Sequence, residues 1–129
     1  MLAGIHDIYA EQGSEYTITF QYYGSDDSAL DILTTYENVR FVVRRSAIPQ
    51  EKNLFELSYD DNIEEGYLPL PLSDQYGTVS VSGEEIVITI NTETMSSVYP
   101  GPYFYYLFLE TNTDVVDCLL KGRFVVEAP

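Results

Sequence analysis

The chain contains no tryptophan, a single cysteine, a single histidine and only six basic residues against 21 acidic ones. One cysteine, Cys118, cannot close a disulfide within the chain, so stability must come from packing and hydrogen bonds, as suits folding in a reducing cytoplasm. One histidine, His6, means that any Ser/His/acid or Cys/His arrangement would have to use it, and it lies in an N-terminal segment expected to fray. A surface or interface histidine is the expectation. Zinc needs several Cys or His ligands, which one of each without ligand spacing cannot supply within one chain. The excess of acids gives a formal net charge of -15. Such a charge repels phosphate backbones and anionic headgroups, which argues against nucleic-acid and membrane-surface partners. Apolar runs of membrane-spanning length are missing, and Met1–Gly13 has neither a basic nor an apolar leader region. Gly-rich phosphate loops, internal repeats and sustained amphipathic helices are likewise missing.

What remains is a 129-residue chain with 45% hydrophobic residues and 12 tyrosines. That is enough for one core, and a single domain over residues 1–129 is expected. Period-2 alternation dominates. Tyr16, Ile18, Phe20 and Tyr22 share one face of a strand, with Thr17 and Thr19 on the other. Val39, Phe41 and Val43 alternate with Arg40, Val42 and Arg44. Val79 and Val81 lead through Ser82–Gly83–Glu84 to Ile86, Ile88 and Ile90, which predicts a hairpin. Pro100–Gly101–Pro102 introduces Tyr103–Leu109, apolar on both faces. In the closing strand Val116–Val126, alternation places Val116, Cys118, Leu120, Phe124 and Val126 on the core side and Asp117, Lys121 and Arg123 opposite. Weaker strands are expected at Asp7–Ala10 and Leu54–Tyr59, and loops at Gly24–Asp31 and around Pro69 and Pro71. One helical turn is expected at Thr92–Val98, capped by Thr92 or Thr94. The pattern predicts an all-β fold, an immunoglobulin-like antiparallel β-sandwich of about seven or eight strands.

Two constellations carry functional content. Asp26 with Asp27, and the run Asp60, Asp61, Asn62, Glu64, Glu65, offer hard oxygen ligands, yet the second run misplaces the glycine of a calcium loop and has Pro71 where the bidentate Glu belongs. Solvated acidic loops are the simpler reading, and a calcium- or carbohydrate-binding module is the alternative function. The other constellation is an interface candidate. If Glu37–Arg45, Tyr103–Leu109 and Val116–Val126 are sheet neighbours, Arg40 and Arg44 flank Phe104, Tyr106 and Phe108 on one side, and Lys121 and Arg123 flank them on the other. Aromatic and Arg residues concentrate where proteins dock, unless a loop of the same chain covers the strip. No catalytic, cofactor or metal residues are expected.

The segments Asp7–Gly13, Tyr16-Thr17-Ile18-Thr19-Phe20, Val39-Arg40-Phe41-Val42-Val43-Arg44, Gly101–Glu110 and Leu119–Val126 together resemble small tailed-phage virion proteins. In particular they resemble the immunoglobulin-like N-terminal domain of phage baseplate upper proteins. The resemblance covers nearly the whole chain through loose patterns of Tyr, Leu and Gly. It implies a non-enzymatic structural subunit of a tail, baseplate or fibre attachment, without cofactor or small-molecule substrate. Such a subunit is made in the host cytoplasm and built into the virion, with other virion proteins as partners in multiple symmetric copies. The chain departs from the pattern at Phe104, Tyr106 and Phe108, where such proteins commonly carry polar residues. Ending at Pro129, it lacks the receptor-binding region of longer relatives, and an adaptor role is expected.

Overall fold

In a computed structural model, residues 4–22, 31–46, 52–111 and 116–129 are described. Strands run in the order β1 (Gly4–Ile5), β2 (Ile8–Glu11), β3 (Tyr16–Gln21), β4 (Asn38–Arg44), β5 (Phe55–Ser58), β6 (Gly77–Ser82), β7 (Glu85–Ile90), β8 (Gly101–Glu110) and β9 (Val116–Glu127). They form two sheets. One has the order β1-β9-β8-β4-β5, with β2 also on β9, and the other has the order β3-β7-β6. This is the immunoglobulin-like division, in which the strands equivalent to C′, C, F and G face those equivalent to B, E and D. No described helix is long and apolar enough to cross a membrane.

The expected alternation holds where one strand face meets the core. Ile86, Ile88 and Ile90 of β7 are fully buried, as are Val39, Phe41 and Val43 of β4 and Tyr105, Leu107 and Leu109 of β8. Gly83, at φ +61°, turns the β6–β7 hairpin in the left-handed region that glycine enters without strain. Without tryptophan or a disulfide, the sheets are pinned by aromatic rings. Phe124 makes edge contacts with Phe41, Phe55 and, across the sandwich, Tyr16, at centroid distances of 6.3, 6.5 and 6.2 Å. Phe41 stacks on Tyr105 at 5.5 Å. Such pairs add about 0.5–1.5 kcal/mol each beyond the area they bury.

Four details differ from the sequence expectations. The sandwich is not wholly antiparallel, because β1 and β2 pair parallel with β9, one after the other along its free edge. Between them the chain passes so close to β9 that a Cβ on Gly122 would lie 2.1 Å from the His6 carbonyl oxygen, which explains glycine there. A second helical turn, α1 (Ile32–Thr35), buries Ile32, an isolated apolar anchor that carries no period to read. The expected turn is present as α2 (Thr92–Ser97), but its cap is Asn91, whose side chain accepts from the Thr94 amide. Last, β9 carries a β-bulge: Leu107 pairs with Leu120 but Phe108 pairs with Cys118, so Leu119 is the extra residue. The bulge reverses the faces of Val116, Asp117 and Cys118. Most of the expected Gly24–Asp31 loop, including Asp26 and Asp27, lies outside the described residues.

Candidate interface on the six-stranded sheet

Pairing register arranges the outer face of this sheet in rows. Arg44 of β4 lies beside Phe104 of β8, and Phe104 beside Arg123 of β9. The next row is Glu56, Val42, Tyr106, Lys121, and the next is Ser58, Arg40, Phe108, Cys118. All seven expected interface residues therefore share this face. The ring planes of Tyr106 and Phe108 stack at 5.9 Å, only 4° from parallel, and the Arg44 guanidinium lies over Tyr106, 4.7 Å from its centroid. Phe104, Tyr106 and Phe108 are all half-buried. The strip is a braced shelf of rings.

The seven residues do not share one role. Arg40 belongs to a polar network at the β4–β5 side. Its Nη1 donates to Glu56 at 2.9 Å and to the Asn62 carbonyl at 3.0 Å, and its Nε lies 3.3 Å from both carboxylate oxygens of Glu110. Burial alone would lower the Arg40 pKa, but Glu110 and Glu56 outweigh it and raise the value. Buried Glu56 is also satisfied at its other oxygen by the Glu64 amide. Asn38 bridges Ser58 and Glu110. Arg40 is thus a structural counter-ion, and its position in an alternating strand could not reveal the two carboxylates waiting for it. Arg44 is partly committed too, donating to the Asn53 side chain at 3.0 Å.

Lys121 and Arg123 are exposed, and Arg123 stands 3.8 Å from Asp7, a geometry worth little in water. Between these cations and the rings, at the β1/β9 edge, lies an open hollow of about 290 Å³ lined by Ile5, Asp7, Phe104 and Tyr106. Ile5, missed in the sequence because it stands alone beside His6, is 79% exposed there.

The bulge corrects two further expectations. Cys118 does not sit on the core face; it stands half-buried beside Phe108 on the outer face. Burial pushes its thiol up, with Lys121 and Arg44 pulling the other way. Asp117 turns inward with Leu109 and accepts a 2.8 Å hydrogen bond from the Tyr36 hydroxyl. His6 has an exposed side chain, and its carbonyl accepts from the Tyr105 hydroxyl.

The acidic run 60–65 is exposed, with Ile63 half-buried, and part of it is engaged in local hydrogen bonds. Ser58 and the Asn62 amide donate to the Asp60 carboxylate. Burial opposes its ionisation, but these bonds and Arg40 outweigh burial and hold its pKa below the usual carboxylate value. Among the described residues no group of three or more His, Cys, Asp or Glu is arranged to hold a metal ion.

No family model matches the chain, and no curated protein does. Among solved structures the chain is similar, at 11% identity and a TM-score of 0.54, to a chain from a study of the structural basis of T cell specificity and activation by the bacterial superantigen toxic shock syndrome toxin-1. The match covers 93% of this chain and 92% of that one. At that identity the likeness concerns the fold alone.

Proposed function

We propose that the chain is a non-enzymatic virion structural protein, an assembly or adaptor subunit of a phage tail, baseplate or fibre attachment, which docks on other virion proteins through the outer face of its six-stranded sheet. The observation that carries the docking role is the row of rings Phe104, Tyr106 and Phe108, half-buried where the outer face of a solitary sheet would be polar, with Tyr106 and Phe108 stacked on each other. The virion setting comes from the sequence resemblance. Covering the shelf removes apolar area from water at about 25 cal/mol per Å², and rings already held in place lose little freedom on docking. Asp60, the Asn62 carbonyl and Glu65 serve Ser58, Arg40 and local backbone amides, and the described acids of the loop form no metal-holding group, so the calcium- or carbohydrate-binding alternative gains no support from its geometry.

The test is particle incorporation of Phe108→Ser. The expected protein has a wild-type circular dichroism spectrum and is depleted from assembled particles. Full incorporation of the folded variant overturns the reading.

A further inference from the structure

We infer that the partner at the hollow beside Phe104 is a second copy of this chain, which inserts Leu72 head-to-tail. The inference rests on the proposed docking role of this face and names its occupant. The hollow, of about 290 Å³, is open to solvent and has room for an inserted apolar side chain. Its walls, Ile5, Phe104 and Tyr106, call for an apolar anchor, and its rim, Lys121 and Arg123 against the single carboxylate of Asp7, keeps one net positive charge that calls for acidic flanks.

The chain itself presents that combination. Leu72 is 104% exposed, beyond any other large apolar residue described. It stands at the tip of a closed turn in which the Asp74 amide donates to the Pro71 carbonyl at 2.9 Å. The turn is built to hold its shape. Asp74 takes φ +63°, which aspartate tolerates better than most residues. Ser73 Oγ donates to the Gln75 carbonyl at 3.3 Å. The base of the loop is stitched to the strand entry by Tyr67 N to Asn53 O at 2.9 Å and Leu68 N to Leu54 O at 3.1 Å. The Tyr76 hydroxyl accepts from the Gly66 amide and donates to the Leu68 carbonyl. Asp74 and, at the loop's base, Glu65 bring the negative charge that the rim matches.

Topology decides between one copy and two. The loop is tied to the β5 edge and the hollow lies at the β1/β9 edge, the opposite side of the same sheet. Patches at opposite edges suit a heterologous contact rather than reciprocal two-fold insertion, and repeated copies then close into a ring or extend as a filament according to the rotation between them.

Sedimentation velocity of the full chain, from micromolar to millimolar concentration, tests this. The wild type is expected to associate increasingly with concentration. Leu72→Asp, Phe104→Ser and the double charge reversal Lys121→Glu/Arg123→Glu, each folded by circular dichroism, should weaken association by about tenfold or more. The deciding sample is an equimolar mixture of Leu72→Asp, which keeps its hollow, with either hollow variant, which keeps its turn. The mixture should form a heterodimer and stop there. A wild type that stays monomeric throughout overturns the inference, as does a mixture that stays monomeric. Leu72→Asp that associates like wild type while the hollow variants do not also overturns it, pointing to face-to-face pairing. All three outcomes leave the Phe108→Ser particle test of the docking role untouched.

Discussion

The two sheets are alike on the inside and unlike on the outside. Inward, both present Ile, Val, Leu and aromatic side chains to one core. Outward, the three-stranded sheet shows Thr17, Thr19 and Gln21 from β3, Thr78, Ser80 and Ser82 from β6, and Glu85, Val87 and Thr89 from β7, with no basic residue in any strand. Its facing hydroxyls bond to each other, Thr17 to Thr89 at 3.3 Å. The six-stranded sheet and the segments flanking its strands hold all six cations, Arg40, Arg44, Arg45, Lys52, Lys121 and Arg123, together with the ring shelf. Folding requires only the inward pattern. The outward difference is therefore where information beyond folding resides, and the cation-free face rich in hydroxyls is what a sheet looks like when water is its only partner.

The sharpest way to break this comparison is to ask whether the cationic face is merely structural. For Arg40 it is. Arg40→Ala strips the counter-ion from Glu56, whose side chain is 8% exposed, and should cost about 3 kcal/mol, the lower end for breaking a buried pair because Arg40 itself reaches solvent. Chemical denaturation measures it. A loss under about 1 kcal/mol would mean that water replaces the guanidinium and that Arg40 is as available for docking as Lys121.

That outcome shows where sequence reading succeeds. Alternation identified the core face of β3, β4 and β7 because burial on one side imposes period 2, while the immunoglobulin-like order brought β4, β8 and β9 together and so assigned the faces of β8, apolar on both sides. It failed wherever one residue altered the count or the partner came from afar. Leu119 contributes a bulge that no local propensity announces, and with it Cys118 and Asp117 exchanged faces. Arg40 looks like Arg44 in sequence, but Glu56 and Glu110 lie 16 and 70 positions away. Ile5 stands alone beside His6, and Leu72 ends a Leu68–Leu70–Leu72 alternation that the prolines at 69 and 71 keep from reading as a strand, so only the fold places one in a hollow and the other on a turn.

A smaller effect separates the inner side of the sheet from its outer side. Tyr105, fully buried on the inward face of β8, donates to the His6 carbonyl, and burial, with Asp7 nearby, pushes its pKa up to about 12. Near pH 11 the unfolded chain has released a tyrosine proton that the folded chain keeps. Stability should therefore fall as pH rises from about 10 towards 12. Tyr16, Tyr76 and Tyr103 shift in the same direction through burial and add to the slope. Tyr105→Phe should cost about 1 kcal/mol at neutral pH through the lost hydrogen bond and should flatten the alkaline slope. Denaturation midpoints measured across that range check both, and an unchanged slope would place the alkaline sensitivity elsewhere.

The smallest expected effect bears most directly on the comparison. Thr19→Lys and Ser80→Lys each put a cation on the outer face of the three-stranded sheet, at exposed positions on its two edge strands. Neither side chain touches the core, so each change should alter stability by no more than about 0.5 kcal/mol. Lysine on an edge strand also discourages strand-to-strand association, so these variants would expose any docking that used those edges. If docking belongs to the ring shelf, both should enter particles and self-associate like wild type while Phe108→Ser and Leu72→Asp fail in their respective assays. If Thr19→Lys or Ser80→Lys folds normally but is excluded from particles, the hydroxyl face or its edge is an interface too. Water would then not be its only partner, and the contrast between the two sheets could no longer assign docking to one of them.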